Sequence, residues 1–385
     1  MSELISAGQI EEAVRWRRDL HRHPELAFQE RRTSDFVARQ LGEWGYRVER
    51  GYGQTGLVGT LRKGLSQRAI GIRADMDALP IAEDTGLPHA SATAGVMHAC
   101  GHDGHVSMAL AAARAAADRD FDGTVHFIFQ PAEENEAGAR FMIEDGLFRN
   151  HAMDAVYGLH NWPALAPGHL VARPDRMMAA LGTFEIVITG RGSHGAMPHE
   201  GADPVVAASQ VVGALQTIAS RNISALEPAV VSVTQIHAGN TWNVIPEQVT
   251  LRGTTRWFDD AIGATIGRRM EAVAASIAEG LGCSARTSHV ARYPATVNDP
   301  ACAAIVRETA AHVAGITVTD AAPSMAAEDF AFMLREKPGC YFWLGSARDG
   351  ENPGLHSPRF DFNDDILPLG ASMWVALIGD ALRKA

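Results

Sequence analysis

Residues 98–105 read His-Ala-Cys-Gly-His-Asp-Gly-His, and Pro131-Ala132-Glu133-Glu134 follows about thirty residues later. Each segment adjoins an apolar run, so its polar groups must stand at the ends of scaffold elements. Soft thiolate, borderline imidazole and hard carboxylate in two short stretches suit a transition-metal site. The paired glutamates add a chemical hint. One can hold a metal while its neighbour moves protons, which points to hydrolysis more than to structural metal binding.

At 385 residues the chain is too long for one ordinary core and comfortable for two domains. Its 46% hydrophobic and 21% charged residues are a globular composition. A net charge of −11 disfavours nucleic acid or an anionic membrane as main partner, because both need a positive field. Four scattered cysteines, Cys100, Cys283, Cys302 and Cys340, argue against a disulfide framework and for a reducing compartment. The N-terminus carries no basic stretch followed by an apolar core, and no charge-free apolar run is long enough to cross a bilayer. The expectation is a cytoplasmic protein with a small-molecule role.

Helical and strand periods alternate along the chain, predicting an α/β fold. Helices are expected over 7–22, stopped by Pro24, and over 33–44, where Phe36, Val37, Leu41 and Trp44 keep helical spacing. Strands are expected at 57–61 and 69–72, the second running into Arg73-Ala74-Asp75-Met76-Asp77. An alanine-rich helix over 102–118 and a buried strand over 123–129 follow. Polar residues thus sit just past strand ends, where open α/β sheets build their sites.

The middle has another rhythm: a strand at 184–189, then a helix opened by Asp203 as N-cap and Pro204 as first residue. Strands at 230–237 and 248–257, a helix over 261–281 and a strand at 285–291 complete βαββαβ, a ferredoxin-like sandwich. The organisation expected is a catalytic α/β domain with a central mixed sheet flanked by helices (1–181 and 295–385), interrupted by a lid or dimerisation domain (182–294). A strand at 340–344, a loop through His356 and a helix near 366–383 close the chain.

Eight segments in order carry a resemblance. They are Arg18 to Leu26, Ile72 to Pro80, Met97 to His105, Gln130 to Glu134, Gly158 to His160, Gly192 to His199, Asn243 to Pro246, and Leu355-His356. Together they resemble the dinuclear-metal aminoacylase/carboxypeptidase family, in its branch of hippurate hydrolases and indole-acetyl-amino-acid amidohydrolases. The resemblance implies two divalent metal ions, held by Cys100, His102, Glu134, His160 and His356. It implies Glu133 as general base and acid toward a metal-activated water, and His194 as a lid histidine that stabilises the oxyanion. Asn243 and Arg256 match substrate-carboxylate contacts. Other branches carry His-x-Asp where this chain has Asp75-Met76-Asp77. Cys100 therefore takes the missing histidine's place, Asp77 orients a ligand from behind, and Asp75 has no assigned role. His98, Asp103 and His105 are expected behind the ligands or on the helix surface. Glu328 and Asp329 read as acids at a helix start.

Gly190-Arg191-Gly192-Ser193-His194-Gly195 has the spacing of a dinucleotide loop, but Pro198 delays the helix and no acid stands near position 215. The reading is therefore a metal-dependent amidohydrolase that cleaves N-acyl-amino acids to a carboxylate and a free amino acid. Zn, Mn, Co and Ni all suit the ligands. A homodimer paired through the inserted domain is expected, with His194 reaching the partner's site. A dipeptidase or carboxypeptidase-type exopeptidase on the same scaffold, or a non-catalytic metal-binding protein, are the alternatives.

Overall fold

The computed structural model describes residues 4–134 and 136–383. The chain divides into two compact units: Met1–Met177 with Val297–Ala322 and Asp329–Ala385, and Met178–Thr296 with Pro323–Glu328.

In the first unit an eight-stranded mixed sheet runs Arg47–Tyr52, Gly56–Lys63, Gly123–Gln130, Ala69–Asp75, Ala155–Trp162, Gly339–Gly345, His169–Val171, Thr317–Val318. Its four middle strands are parallel. They are apolar and buried almost throughout, as strands covered on both faces must be. The order reverses at Ala69–Asp75: the next strand in sequence, Gly123–Gln130, pairs on one side, and Ala155–Trp162 pairs on the other. Such a switch point opens a crevice at the carboxyl ends of the strands.

Helix Ala7–Arg22 has the boundaries its periodicity predicts, begun by a reciprocal Ser6–Gln9 capping box. The second helix starts slightly earlier than predicted, at Arg31–Glu43. Helix His102–Ala117 is buried on nearly every face, which explains its alanine content: small side chains let helices Ala7–Arg22 and Leu367–Ala381 approach closely. Gly101 precedes it in the left-handed region, φ 93°. A Cβ there would also lie 2.4 Å from Asn161 Nδ2, so glycine is required twice over.

The second unit is a four-stranded antiparallel sheet in the order Ala229–Ala238, Gln248–Trp257, Ala180–Thr189, Ser284–Tyr293, with helices Pro204–Thr217 and Asp260–Gly280. This is the βαββαβ sandwich read from the sequence. Its own core is built on Phe184, Ile186, Val211, Leu251, Trp257 and Met270. The Asp203 carboxylate caps the first helix as expected. The two-residue ribbon Ser193–His194 with Val244–Ile245 and the edge strand Arg47–Tyr52 are not marked in the sequence; such short or polar segments lack a readable period.

One buried charge network stiffens the first unit. Arg17 reaches Asp361 at 2.8 Å and Asp364 at 2.7 Å, and His21 bonds Asp103 at 2.9 Å and Glu83 at 3.3 Å. Burial opposes charge on His21, but the bonds to Asp103 and Glu83 override it and raise the imidazole to about 9. A raised histidine stabilises the fold fully below its unfolded value near 6.5, and that contribution is lost as pH climbs toward 9. His21→Asn is therefore expected to cost roughly 3–5 kcal/mol at pH 6, as when one partner of a buried ion pair is removed. The gap in melting temperature between variant and wild type should narrow as pH rises to 9; a gap independent of pH would contradict this.

Candidate metal centre

All the candidate metal-binding segments follow carboxyl ends of adjacent parallel strands. Asp75 ends one strand, Glu133 and Glu134 follow Gln130, His160 lies near the end of Ala155–Trp162, and His356 lies in the loop after Gly339–Gly345. Cys100 and His102 sit at the entry to helix His102–Ala117, where the long segment after Asp77 is tied back by Leu79–Met97 backbone bonds.

The five candidate ligands converge. Cys100 Sγ is 3.4 Å from His160 Nε2, and ligand atoms of Cys100, His102 and Glu134 all lie within 4.8 Å of one another. His356 Nε2 stands 3.1 Å from Glu134 Oε1. His356 has φ 64°, and its amide donates to Ala99 O at 2.8 Å, which ties this distant loop beside Cys100. A second group, Asp75, His102, His105 and His160, overlaps the first at His102.

The surroundings decide which nitrogens face inward. His102 Nδ1 donates to Asp77 O at 2.8 Å, leaving Nε2 buried with no hydrogen-bond partner. His160 Nδ1 donates to Asn161 O at 2.7 Å, which turns its Nε2 toward Cys100. Such carbonyls fix the tautomer a metal requires. His105 differs: its Nε2 accepts the Asn161 amide at 3.0 Å, so its Nδ1–H donates to Asp75 Oδ1 at 2.6 Å and both ring nitrogens are engaged. Asp103 is buried against His21, not on the helix surface. His98 is buried as well, and burial lowers it to about 4, so it is neutral.

The electrostatics call for positive charge. Burial and then Glu134, Glu133 and Asp75 push the Cys100 thiol well above its ordinary value. Burial opposes protonation of His102, yet Asp75 and Asp77 raise it to about 10. Burial, with His105 nearby, holds His160 well below 6.5. A coordinating cation supplies the charge these carboxylates demand and deprotonates a thiol outright. With His102 Nε2 left without a hydrogen bond and Glu134 Oε1 beside His356 Nε2 at 3.1 Å, the donor set fits a divalent metal.

Asp75 acquires a place the sequence left open. Arg73 Nη1 donates to its Oδ2 at 2.6 Å, His105 takes its Oδ1, and His102 Nε2 lies 3.6 Å away. Arg73 also donates to Gln130 and Asp329, and Asp329 accepts from Gln130 and the Ala139 amide. Asp329 does stand just before the short helix Ala331–Glu336, its carbonyl accepting the Phe332 amide at 2.9 Å, but its carboxylate is claimed by a buried arginine. Arg73, Gln130, Asn161 and Asp329 were missed as supporting residues. A charged residue inside an otherwise apolar strand was the available signal for Arg73.

The remaining candidates lie in the second unit. His194 and Val244 pair across the short ribbon, and Asn243 O accepts the Gly195 amide at 2.7 Å, so His194 and Asn243 are neighbours and both exposed. Arg256 pairs with Leu181 at the opposite end of the sheet from Gln248 and Thr189, next to which the ribbon emerges. Eight strand residues separate the two ends, roughly 26 Å. Arg252, four residues before Arg256, bonds Glu185 at 2.8 Å on the surface.

A donor set of this kind at the strand ends of an α/β sheet suits a metal-dependent hydrolase. Residues 71–380 match the family described as peptidase family M20/M25/M40. The chain belongs to that family. It is 41% identical to the N-acetyl-L-cysteine deacetylase of Bacillus subtilis over 91% of this chain and 83% of that one. It is 38% identical to the hippurate hydrolase of Campylobacter jejuni over 94% of each. A solved Bacillus subtilis structure, described as a dinuclear metal binding peptidase from the M20 family, superposes with a TM-score of 0.86 at 35% identity, covering 99% of this chain and 100% of that one.

Cys100→Ala and His102→Ala are each expected to lower the metal bound per subunit, measured by elemental analysis after gel filtration. Dialysis of the wild type against a chelator should lower its melting temperature, and a divalent metal should restore it. Wild-type metal content in both variants would rule out the assigned centre.

Proposed function

We propose that this protein is a metal-dependent amidohydrolase that cleaves N-acyl-amino acids, with Cys100, His102, Glu134, His160 and His356 holding two divalent ions. The observation that carries the reading is the convergence of these five side chains around a carboxylate pair, Glu133 and Glu134, at the switch point of the sheet. Relatives named for deacetylation of N-acetyl-L-cysteine and hydrolysis of hippurate point to the substrate class. The solved relative described as a dinuclear metal binding peptidase supports two ions, and Zn, Mn, Co or Ni would each be accepted.

Bound there, the ions supply Lewis acidity toward the scissile carbonyl and lower the pKa of water. The protein's own groups do the rest. Glu133 is buried at the centre, close enough for its charge to act on Cys100. Its carboxylate takes the proton of the attacking water and delivers it to the departing amide nitrogen. Asp77 accepts the amides of Glu133 and Glu134 at 3.0 and 2.9 Å, holding both in place. His194 stabilises the oxyanion, and Asn243 and Arg256 bind the carboxylate of the amino-acid half.

Four buried free cysteines fit a reducing, cytoplasmic setting, and among the described residues no helix is long and apolar enough to cross a membrane. A panel of N-acetyl and N-benzoyl amino acids beside free dipeptides, assayed with wild type and Glu133→Gln, tests the reading. The wild type should favour the acylated substrates, and Glu133→Gln should lose on the order of 10³-fold or more in kcat while keeping its metal. Preference for dipeptides would make it an exopeptidase; turnover of neither would leave a non-catalytic metal protein.

We further infer a homodimer through the second unit. The exposed face of helix Pro204–Thr217 shows Val205, Val206, Ser209, Gln210, Gly213 and Gln216, without a charge. Ala229–Ala238 is an edge strand with Ile236 exposed. An uncharged helix face beside an open strand edge suits a second copy of the chain. The placement of Arg256 at the end of the sheet opposite the one from which the His194–Asn243 ribbon emerges gives a second reason: groups at opposite ends of one sheet are better joined on one small substrate by two copies than by one. Glu133→Gln and His194→Ala subunits, each inactive, should regain about a quarter of wild-type activity when dissociated and reassociated, because half the dimers are mixed and each has one intact site. A mixed dimer without recovery would place His194 in its own subunit's site or in none.

A further inference from the structure

The glutamate pair sits on a loop whose backbone is not in a relaxed state. Ala132 has φ 54°, a left-handed conformation that costs a non-glycine residue roughly 1 kcal/mol and persists only when its surroundings enforce it. Pro131 precedes it, and the Ala132 carbonyl accepts the Gly138 amide at 2.9 Å. Gly138 lies so close that a Cβ there would meet Pro131 O at 1.8 Å. These contacts hold one side of the loop. The other side is held by carboxylates: three successive amides, Ala132, Glu133 and Glu134, all donate to buried acids from distant parts of the chain.

Asp77 takes the second and third amides. Glu30 takes the first: its Oε1 accepts the Ala132 amide at 2.9 Å, and its Oε2 accepts the Thr55 hydroxyl at 2.5 Å. Glu30 occupies the N-cap position of helix Arg31–Glu43 yet makes no side-chain bond to that helix. It is fully buried. A carboxylate that forgoes capping its own helix and is desolvated to reach one loop amide needs a reason.

We propose that Glu30 is a positioning residue for the Glu133–Glu134 loop, holding Ala132 left-handed so that, with Asp77, it sets where the proton-moving and metal-binding carboxylates stand. The inference rests on the function proposed above for those two glutamates. If the amide of Ala132 loses its acceptor, the strained residue relaxes toward the right-handed region and the following peptide plane rotates. Glu133 is the next residue, so a small backbone rotation moves its carboxylate away from the water it must face. Burial, with Asp77 nearby, raises the Glu30 carboxyl to about 7. A neutral amide of the same shape is therefore a close substitute: its oxygen accepts from Ala132 and its NH₂ donates to Thr55.

The test compares Glu30→Gln, Glu30→Asp and Glu30→Ala, each assayed for kcat and KM on an N-acyl-amino acid and for zinc affinity by chelator competition. Glu30→Asp, one methylene too short, and Glu30→Ala should lower kcat about 10- to 100-fold with KM within about threefold, and weaken zinc binding by on the order of tenfold. Glu30→Gln should stay within about threefold of wild type in all three. Glu30→Asp carries the comparison should the alanine variant not fold. Wild-type behaviour of Glu30→Asp, or a loss in Glu30→Gln equal to that in Glu30→Asp, would overturn the proposal. Should the wild type hydrolyse no acylated amino acid, the functional reading falls, and the zinc affinities still decide the role of Glu30.

Discussion

Asp75 is the group on which the rest of the crevice depends. A carboxylate buried at the end of a central strand is tolerable only with positive charge and hydrogen bonds around it. Burial opposes its charge, but Arg73, then His102 and His105, hold its carboxyl well below the usual range. Each of those partners is pinned in turn: Arg73 by Gln130 and Asp329, His105 by the Asn161 amide. The need to satisfy one carboxylate thus ties together the ends of strands Ala69–Asp75, Gly123–Gln130 and Ala155–Trp162. A rigid triangle of strand ends is what a metal centre built on loops requires, because the loops inherit their positions from it.

The same arrangement keeps excess negative charge in the crevice. Arg73 and His105 are committed to Asp75, and Glu133, Glu134 and Asp77 add further carboxylates around Cys100 and His102. His102 answers by binding a proton strongly, and Cys100 by keeping its own. With the ligand set proposed above, both responses would compete with metal binding, so metal affinity should fall as pH falls.

Much of this was legible in the chain because it is local. The helical periods gave Ala7–Arg22 and His102–Ala117, Asp203-Pro204 announced a helix start, and polar residues at strand ends marked the side of the sheet that matters. The donor segments stood out by residue type alone. What escaped was whatever depends on partners far apart in sequence. Arg73 and Asp329 are 256 residues apart, and Glu30 and Ala132 are 102 apart, so no spacing rule connects them. The two-residue ribbon at His194 escaped for another reason: it is too short to show a period.

Supporting residues also escape because their types are ambiguous. Glu30 and Asp329 look like surface or capping acids in a one-dimensional reading, and each proves buried, accepting a backbone amide of the loop that carries Glu133 and Glu134 or of the helix after it. An amide donor belongs to the backbone and leaves no mark in the sequence. The loop Pro131–Glu134 therefore draws its shape from acids it does not contain, and a substitution outside it can alter its chemistry while the motif itself stays intact.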